Sequence, residues 1–249
     1  MLLLGLLVTL TYRFPVAQQV IYQADMKFDG FLPILGVGQG KAEVRGTFAV
    51  VGKSVNSASV TLTAFEITFN SEKIPIDLDD ARKYVPGGTF TYTPAGSVSA
   101  WDAPMVTAPI RVPGLDLKHL PEVLFLPMPF PAVSPEEGET FTFSMPLSGG
   151  TSKYVVTRGP GAADAVSFTL NVHQSYNDFE DDANQVVAER DAALRVDTDV
   201  IGMGTGLFNA TLGRFTRFTI DDVATSTATD VQTKKISTRK LTRHLEVKS

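Results

Sequence analysis

Residues 165–176, AVSFTLNVHQSY, alternate without a break. Val166, Phe168, Leu170 and Val172 fall on one parity, and Ser167, Thr169, Asn171 and His173 on the other. Period two is the mark of a strand with one dry face and one wet face, and a helix would scatter the same residues around its circumference. Residues 59–69, SVTLTAFEITF, alternate too, but the phase changes: Val60 and Leu62 share one parity, Phe65, Ile67 and Phe69 the other. Ala64 shares the first parity; one extra residue in a strand swaps its faces, so a β-bulge is expected near Ala64–Phe65.

Further strands are expected at 20–28, 41–51, 88–93, 139–145, 153–158, 185–197, 206–221 and 235–248. Helix is confined to two short stretches. One is 79–84, which opens on Asp79 and Asp80 and is stopped by Pro86. The other is 115–123, interrupted by Pro121. Residues 102–135 carry eight prolines, from Pro104 to Pro135, a spacing that suits an extended crossover and not a central strand. The fold class is therefore all-β with minor short helices: duplicated antiparallel units forming two lobes or one curved sandwich or half-barrel system. The segments are 1–19 (leader), 20–101 (first β unit), 102–135 (crossover) and 136–249 (second β unit).

The duplication rests on glycines. Residues 36–48 read GVGQGKAEVRGTF and residues 202–215 read GMGTGLFNATLGRF. Both run G-x-G-x-G, then some residues later G-x-F. Strand-like sequence follows each, where a dinucleotide fingerprint requires a helix, so the glycines read as bare backbone on a strand face and G-x-F as a tight hairpin.

The N-terminus, MLLLGLLVTLTYRFPVAQQ, offers a short apolar run of signal-peptide length with a cleavage point at Ala17. It lacks a preceding basic residue, which a start codon assigned too late would explain. Export to the periplasm or outside the cell is expected, with no transmembrane span in the mature chain. The chain has no cysteine, which removes disulfides, thiolate chemistry and Cys-bound zinc. A net charge of −5 argues against a nucleic-acid partner. Charge is uneven, however: KKISTRKLTRHLEVK at the C-terminus reads as an edge strand blunted by charge, or a surface for an anionic partner.

Chemical constellations are sparse. His119, His173 and His244 stand far apart. Asp178, Glu180, Asp181 and Asp182 form the densest acidic group, a weak metal candidate without the order of a calcium loop. Asp197–Thr198–Asp199 and Asp221–Asp222 read as turn residues. No G-x-S-x-G nucleophile elbow occurs. The stretch LFLPMPF is the best ligand candidate: Leu124, Phe125, Leu126, Met128 and Phe130 on a crossover could line an apolar cavity between the halves, or plug the core there.

Leu120-Pro121-Glu122, Leu126-Pro127, Pro131, Val133 and Gly138-Glu139-Thr140-Phe141, with the later GLFN and GRF of 206–215, resemble uncharacterised secreted bacterial β-rich proteins in which a proline-rich link precedes a second β unit. That resemblance implies export and a duplicated antiparallel fold, and it transfers no catalytic residue. The leading expectation is a non-enzymatic envelope or extracellular protein, without cofactor, that binds a lipid or other apolar small molecule between curved sheets. The alternatives are a protein–protein module that uses the C-terminal edge strand, and a hydrolase using the carboxylates of 178–182.

Overall fold

The computed structural model describes residues 9–32, 38–104, 117–145, 147, 149–162 and 164–249. Twelve strands form one sheet. They are β1 (Gln19–Phe31), β2 (Gln39–Ser54), β3 (Ser57–Phe69), β4 (Glu72–Lys73), β5 (Gly88–Tyr92), β6 (Val98–Asp102), β7 (Thr140–Phe143), β8 (Gly150–Ala162), β9 (Ala165–Glu180), β10 (Leu194–Asn209), β11 (Arg214–Asp230) and β12 (Ile236–Lys248). The helices are α1 (Leu78–Tyr84) and α2 (Leu120–Leu124). The strand order is β6-β5-β3-β2-β1-β12-β11-β10-β9-β8-β7, with β4 paired to β3 and every strand ladder antiparallel. The fold is thus one open curved sheet.

The two halves are joined by a ladder between β1 and β12, from Gln23 opposite Lys248 to Gly30 opposite Leu241. This corrects the expectation of a C-terminal edge strand. β12 pairs with β1 on one side and β11 on the other, so it is interior. The true edges are β6 and β7, five and four residues long. Short edge strands offer little unpaired backbone to other chains.

Period two is realised as read in β9, where Val166, Phe168, Leu170 and Val172 are buried. The bulge in β3 is also present, one residue earlier than expected. Thr47 faces Ala64 and Phe48 faces Leu62, which leaves Thr63 as the extra residue. Its hydroxyl donates to the Thr47 carbonyl at 3.0 Å.

The glycine stretches are strand, but they occupy different places. The second runs through β10 and ends in the 210–213 hairpin, where Gly213 has φ +65° and donates to the Asn209 carbonyl. The first lies in β2, which continues straight past Gly46-Thr47-Phe48, so no hairpin forms there; Gly36 lies outside the described residues. What the two share is an aromatic ring laid on bare backbone. A Cβ on Gly40 would lie 2.3 Å from the Phe69 ring, on Gly46 2.8 Å from Phe48, and on Gly206 2.5 Å from Phe215. Each glycine is where a ring needs the room. The strand expected at 206–221 is divided there: β10 ends at Asn209, residues 210–213 turn, and β11 opens at Arg214.

Residues 10–14 are part of the core. Leu10, Tyr12 and Phe14 are all under 5% exposed. Tyr12 stacks on Phe130 at 5.3 Å and meets Phe208 edge-on at 5.4 Å, and the Arg13 amide donates to the Gly213 carbonyl at 2.8 Å. Cleavage at Ala17 would strip these three side chains from the fold. Each such burial contributes about 1.5–3 kcal/mol. A chain starting at Gln18 is therefore expected to lose about 5 kcal/mol or more of unfolding free energy by urea denaturation, and an unchanged midpoint would place the segment outside the core.

Candidate functional site

Alternation gives the sheet a concave apolar face. Tyr22 of β1, Phe48 of β2, Phe90 of β5, Phe168 of β9 and Phe208 of β10 all point into one cluster and are all buried. Among the described residues no second sheet covers them; the chain's own links do. Segments 10–14 and 120–130 both pack into this cluster, as does Ala81 of α1. α2 begins segment 120–130, with Pro121 in its first turn, where a missing N–H costs nothing. The Phe125 and Leu126 amides both donate to the Pro121 carbonyl at 2.9 Å, which turns the chain sharply into the trough.

The five residues singled out on the crossover all come together here. Leu124, Phe125, Leu126, Met128 and Phe130 are between 0 and 5% exposed. Phe125 sits among the rings of Tyr22 (5.0 Å), Phe48 (5.6 Å) and Phe90 (6.2 Å) from the first half. Phe130 sits against Phe208 (4.9 Å) and Phe168 (5.7 Å) from the second. The Tyr12 hydroxyl donates to the Met128 carbonyl at 2.9 Å, and the Phe130 amide donates to the Ala95 carbonyl at 2.7 Å. Burial raises the Tyr12 hydroxyl's pKa well above the phenolic range, opposed by that bond to Met128. These residues fill the trough in the present structure.

Farther along the same face the lining turns polar. Arg243 of β12 donates to the Asp222 carboxylate of β11 from both Nε, at 2.9 Å, and Nη2. The two side chains are 3% and 1% exposed. Burial pushes the Asp222 carboxyl up, opposed by the Arg243 charge and its hydrogen bond. Gln174 of β9 donates to the Tyr154 hydroxyl of β8 at 2.9 Å, and Tyr154 stacks on Phe143 at 4.6 Å. At the far rim Arg239 binds Glu180 at 2.5 Å and Asn184 at 2.9 Å, with its guanidinium 4.3 Å from the Phe31 ring centroid. A cavity of about 30 Å³ opens beside it, bordered by Tyr176, Thr198 and Ser226.

The acidic group is dispersed. Glu180 serves Arg239, and Asp181 accepts the Ala183 and Gln185 amides at 2.9 Å, which builds the turn after β9. Among the described residues no three His, Asp or Glu side chains converge as a metal site. His173 pairs with Asp199 at 2.7 Å and His244 with Asp221 at 2.6 Å, both pairs exposed on the sheet, and His119 lies 3.4 Å from Glu122 on the crossover. Asp197–Thr198–Asp199 and Asp221–Asp222, read as turns, lie within β10 and β11. Their acids on one parity are outward charges in ordinary strands, and Asp222 is inward because Arg243 meets it. The available signal was phase: Asp222 shares parity with Ile220 and Ala224, and Arg243 with Leu241 and Leu245.

No protein-family model matches this sequence, and no curated protein matches it. Among solved structures, a chain described as "Lipid-protein interactions in lipovitellin" shares the fold with a TM-score of 0.55 at 12% identity. The match covers 94% of this chain and 25% of that one, so this chain spans a quarter of its length.

The buried pair yields a test. Asp222→Ala alone leaves Arg243 charged and unpaired, and is expected to cost about 3–5 kcal/mol in denaturant unfolding. Asp222→Leu combined with Arg243→Met removes both charges and should recover most of that loss. Because the native Asp222 carboxyl holds its proton to higher pH than the unfolded chain does, its contribution to stability falls as pH rises through its native range. Asp222→Asn should flatten that part of the pH–stability curve.

Proposed function

We propose that this chain is an exported, non-catalytic protein that binds an apolar or amphipathic small molecule on the concave face of its sheet. The observation that carries this is the cover of that face. Among the described residues it is made by connecting segments, not by a partner sheet, and segment 120–130 meets it chiefly through side chains. Uptake then exchanges one apolar cover for another, so the burial lost by Phe125, Met128 and Phe130 is replaced by burial of the ligand. Met and aromatic side chains suit such exchange, since Met repacks readily. The architecture shared with the lipovitellin chain, whose structure is described in terms of lipid–protein interactions, supports the same reading. The basic C-terminal strand supports the protein–protein alternative less, because its edges are occupied and Arg239 and Arg243 are paired inward. No helix among the described residues is long and apolar enough to cross a membrane. A processed chain that keeps this fold retains Leu10, Tyr12 and Phe14, so leader removal falls upstream of Leu10.

The test is titration of delipidated protein with a fluorescent long-chain aliphatic probe. Saturable uptake at one probe per chain is expected, competed by unlabelled lipid and weakened or strengthened by Phe125→Ala, which alters the cover. Absence of saturable uptake across fatty acids, alcohols and phospholipids overturns the reading. Intact mass of the secreted protein, which should begin no later than Thr9, checks the processing.

A further inference from the structure

One register row crosses five strands of the concave face: Tyr154 of β8, Val172 of β9, Gly202 of β10, Asp222 of β11 and Arg243 of β12 are directly paired in turn. The next row, toward the rim, runs Ser152, Gln174, Val200, Ala224 and Leu241. Between the Asp222–Arg243 pair and the Gln174–Tyr154 pair the floor is therefore made of small side chains: Val172, Val200 and Ala224. Gly202 contributes none. A Cβ there would lie 2.5 Å from the Asp222 Cβ, so bare backbone is what admits the carboxylate to this row.

Among the described residues, two oxygens flanking this floor lack a donor. They are Asp222 Oδ1 and Gln174 Oε1, on residues 3% and 6% exposed. A buried acceptor without a donor is a costly feature that calls for an explanation. Both open atoms are acceptors, so the missing group must donate. A carboxylate head would set acceptor against acceptor, and Arg243 already engages Asp222 through two nitrogens. An ammonium head would leave one surplus positive charge beside the neutralised Asp222–Arg243 pair, away from water, which is strongly unfavourable. A hydroxyl donates without adding charge.

We infer that the floor bounded by Asp222, Arg243, Gln174 and Tyr154 is the seat for the uncharged, hydroxyl-bearing head of an amphipathic ligand whose chain lies along the apolar trough. This rests on the reading that the concave face takes such a ligand, and it adds the class: a long-chain alcohol or monoacylglycerol in preference to a free fatty acid. The head donates to Asp222 Oδ1 and Gln174 Oε1, and the chain runs toward Leu170, Phe168 and the crossover.

The experiment is displacement of a bound aliphatic probe from delipidated protein by four ligands of equal chain length: monopalmitoylglycerol, palmitate, hexadecylammonium and hexadecane. The glycerol ester is expected to bind about tenfold more tightly than palmitate, the scale of one or two matched hydrogen bonds. In Gln174→Leu, which removes one acceptor and keeps the side chain's bulk, that preference should shrink several-fold while hexadecane binding is unchanged. Equal affinities for all four ligands would overturn the seat, leave the concave-face reading intact, and assign the two oxygens to a structural water only. Preference for palmitate or the ammonium would overturn the seat as well. Failure of every ligand to displace or bind would overturn both readings. The head preference of the unaltered protein decides the matter without the variant, should Gln174→Leu fail to fold.

Discussion

The ladder between β1 and β12 is the constraint from which the rest of the molecule follows. Pairing the first long strand with the last turns two meanders into one sheet and places β6 and β7 at its two ends. The chain between them must then travel from one edge of the sheet to the other. Its segment 120–130 lies on the concave face, where the apolar side chains need a cover. This explains why the crossover is both proline-rich and apolar. Prolines cannot serve a ladder, and nothing in the trough asks them to. Leucine, methionine and phenylalanine between them meet the sheet with side chains instead of backbone.

Glycine plays the complementary part. A strongly curved sheet crowds its inner face, and whole rings cannot stand side by side in every row. Rows in this sheet alternate large side chains with bare backbone. Phe69 lies on Gly40, Phe48 on Gly46, Phe215 on Gly206, and Leu170 against Gly204. The intrinsic strand preference lost at each glycine is returned as contact with an aromatic or aliphatic side chain. The two glycine-rich stretches look alike in sequence because they meet the same packing demand, although they sit at different heights in different strands.

Much of the fold could be read from alternation alone. β9 was legible from Val166 to Val172, and the bulge of β3 was legible as a change of phase, because both features depend only on neighbours in sequence. The pairing of β1 with β12 was not legible, since no local pattern states which strand lies beside which. Its absence led the C-terminal charges to be read as an edge, whereas Arg239 and Arg243 are inward and paired. The packing of residues 10–14 was not legible either, for a related reason. Leu10, Tyr12 and Phe14 alternate over too short a stretch to distinguish a core strap from the end of a leader, and only the rings of Phe130 and Phe208 settle their place. In the site, the apolar crossover residues were legible by composition. The polar row was not, because Gln174, Asp222 and Arg243 lie on three strands and meet only through register.

That row also bears on how the sheet finds one register. Asp222 and Arg243 are directly opposed in β11 and β12. A slip of β12 by one residue would turn Arg243 outward, and Leu241, Leu245 and Val247 with it, leaving Asp222 inward and unpaired. A slip of two would keep the faces but set Asp222 against Leu241 or Leu245, and Arg243 against Ile220 or Ala224, each charge buried without its partner. Alternating apolar residues alone distinguish the first error from the native pairing, but not the second, since Leu241, Leu245 and Val247 are nearly interchangeable as inner side chains. The ion pair supplies the missing discrimination. Its desolvation, visible in the raised Asp222 pKa, makes it a weak source of stability and a strong penalty on misalignment. β12 is the strand on which the two halves meet, so fixing its register against β11 also fixes where β1 and the first half are placed.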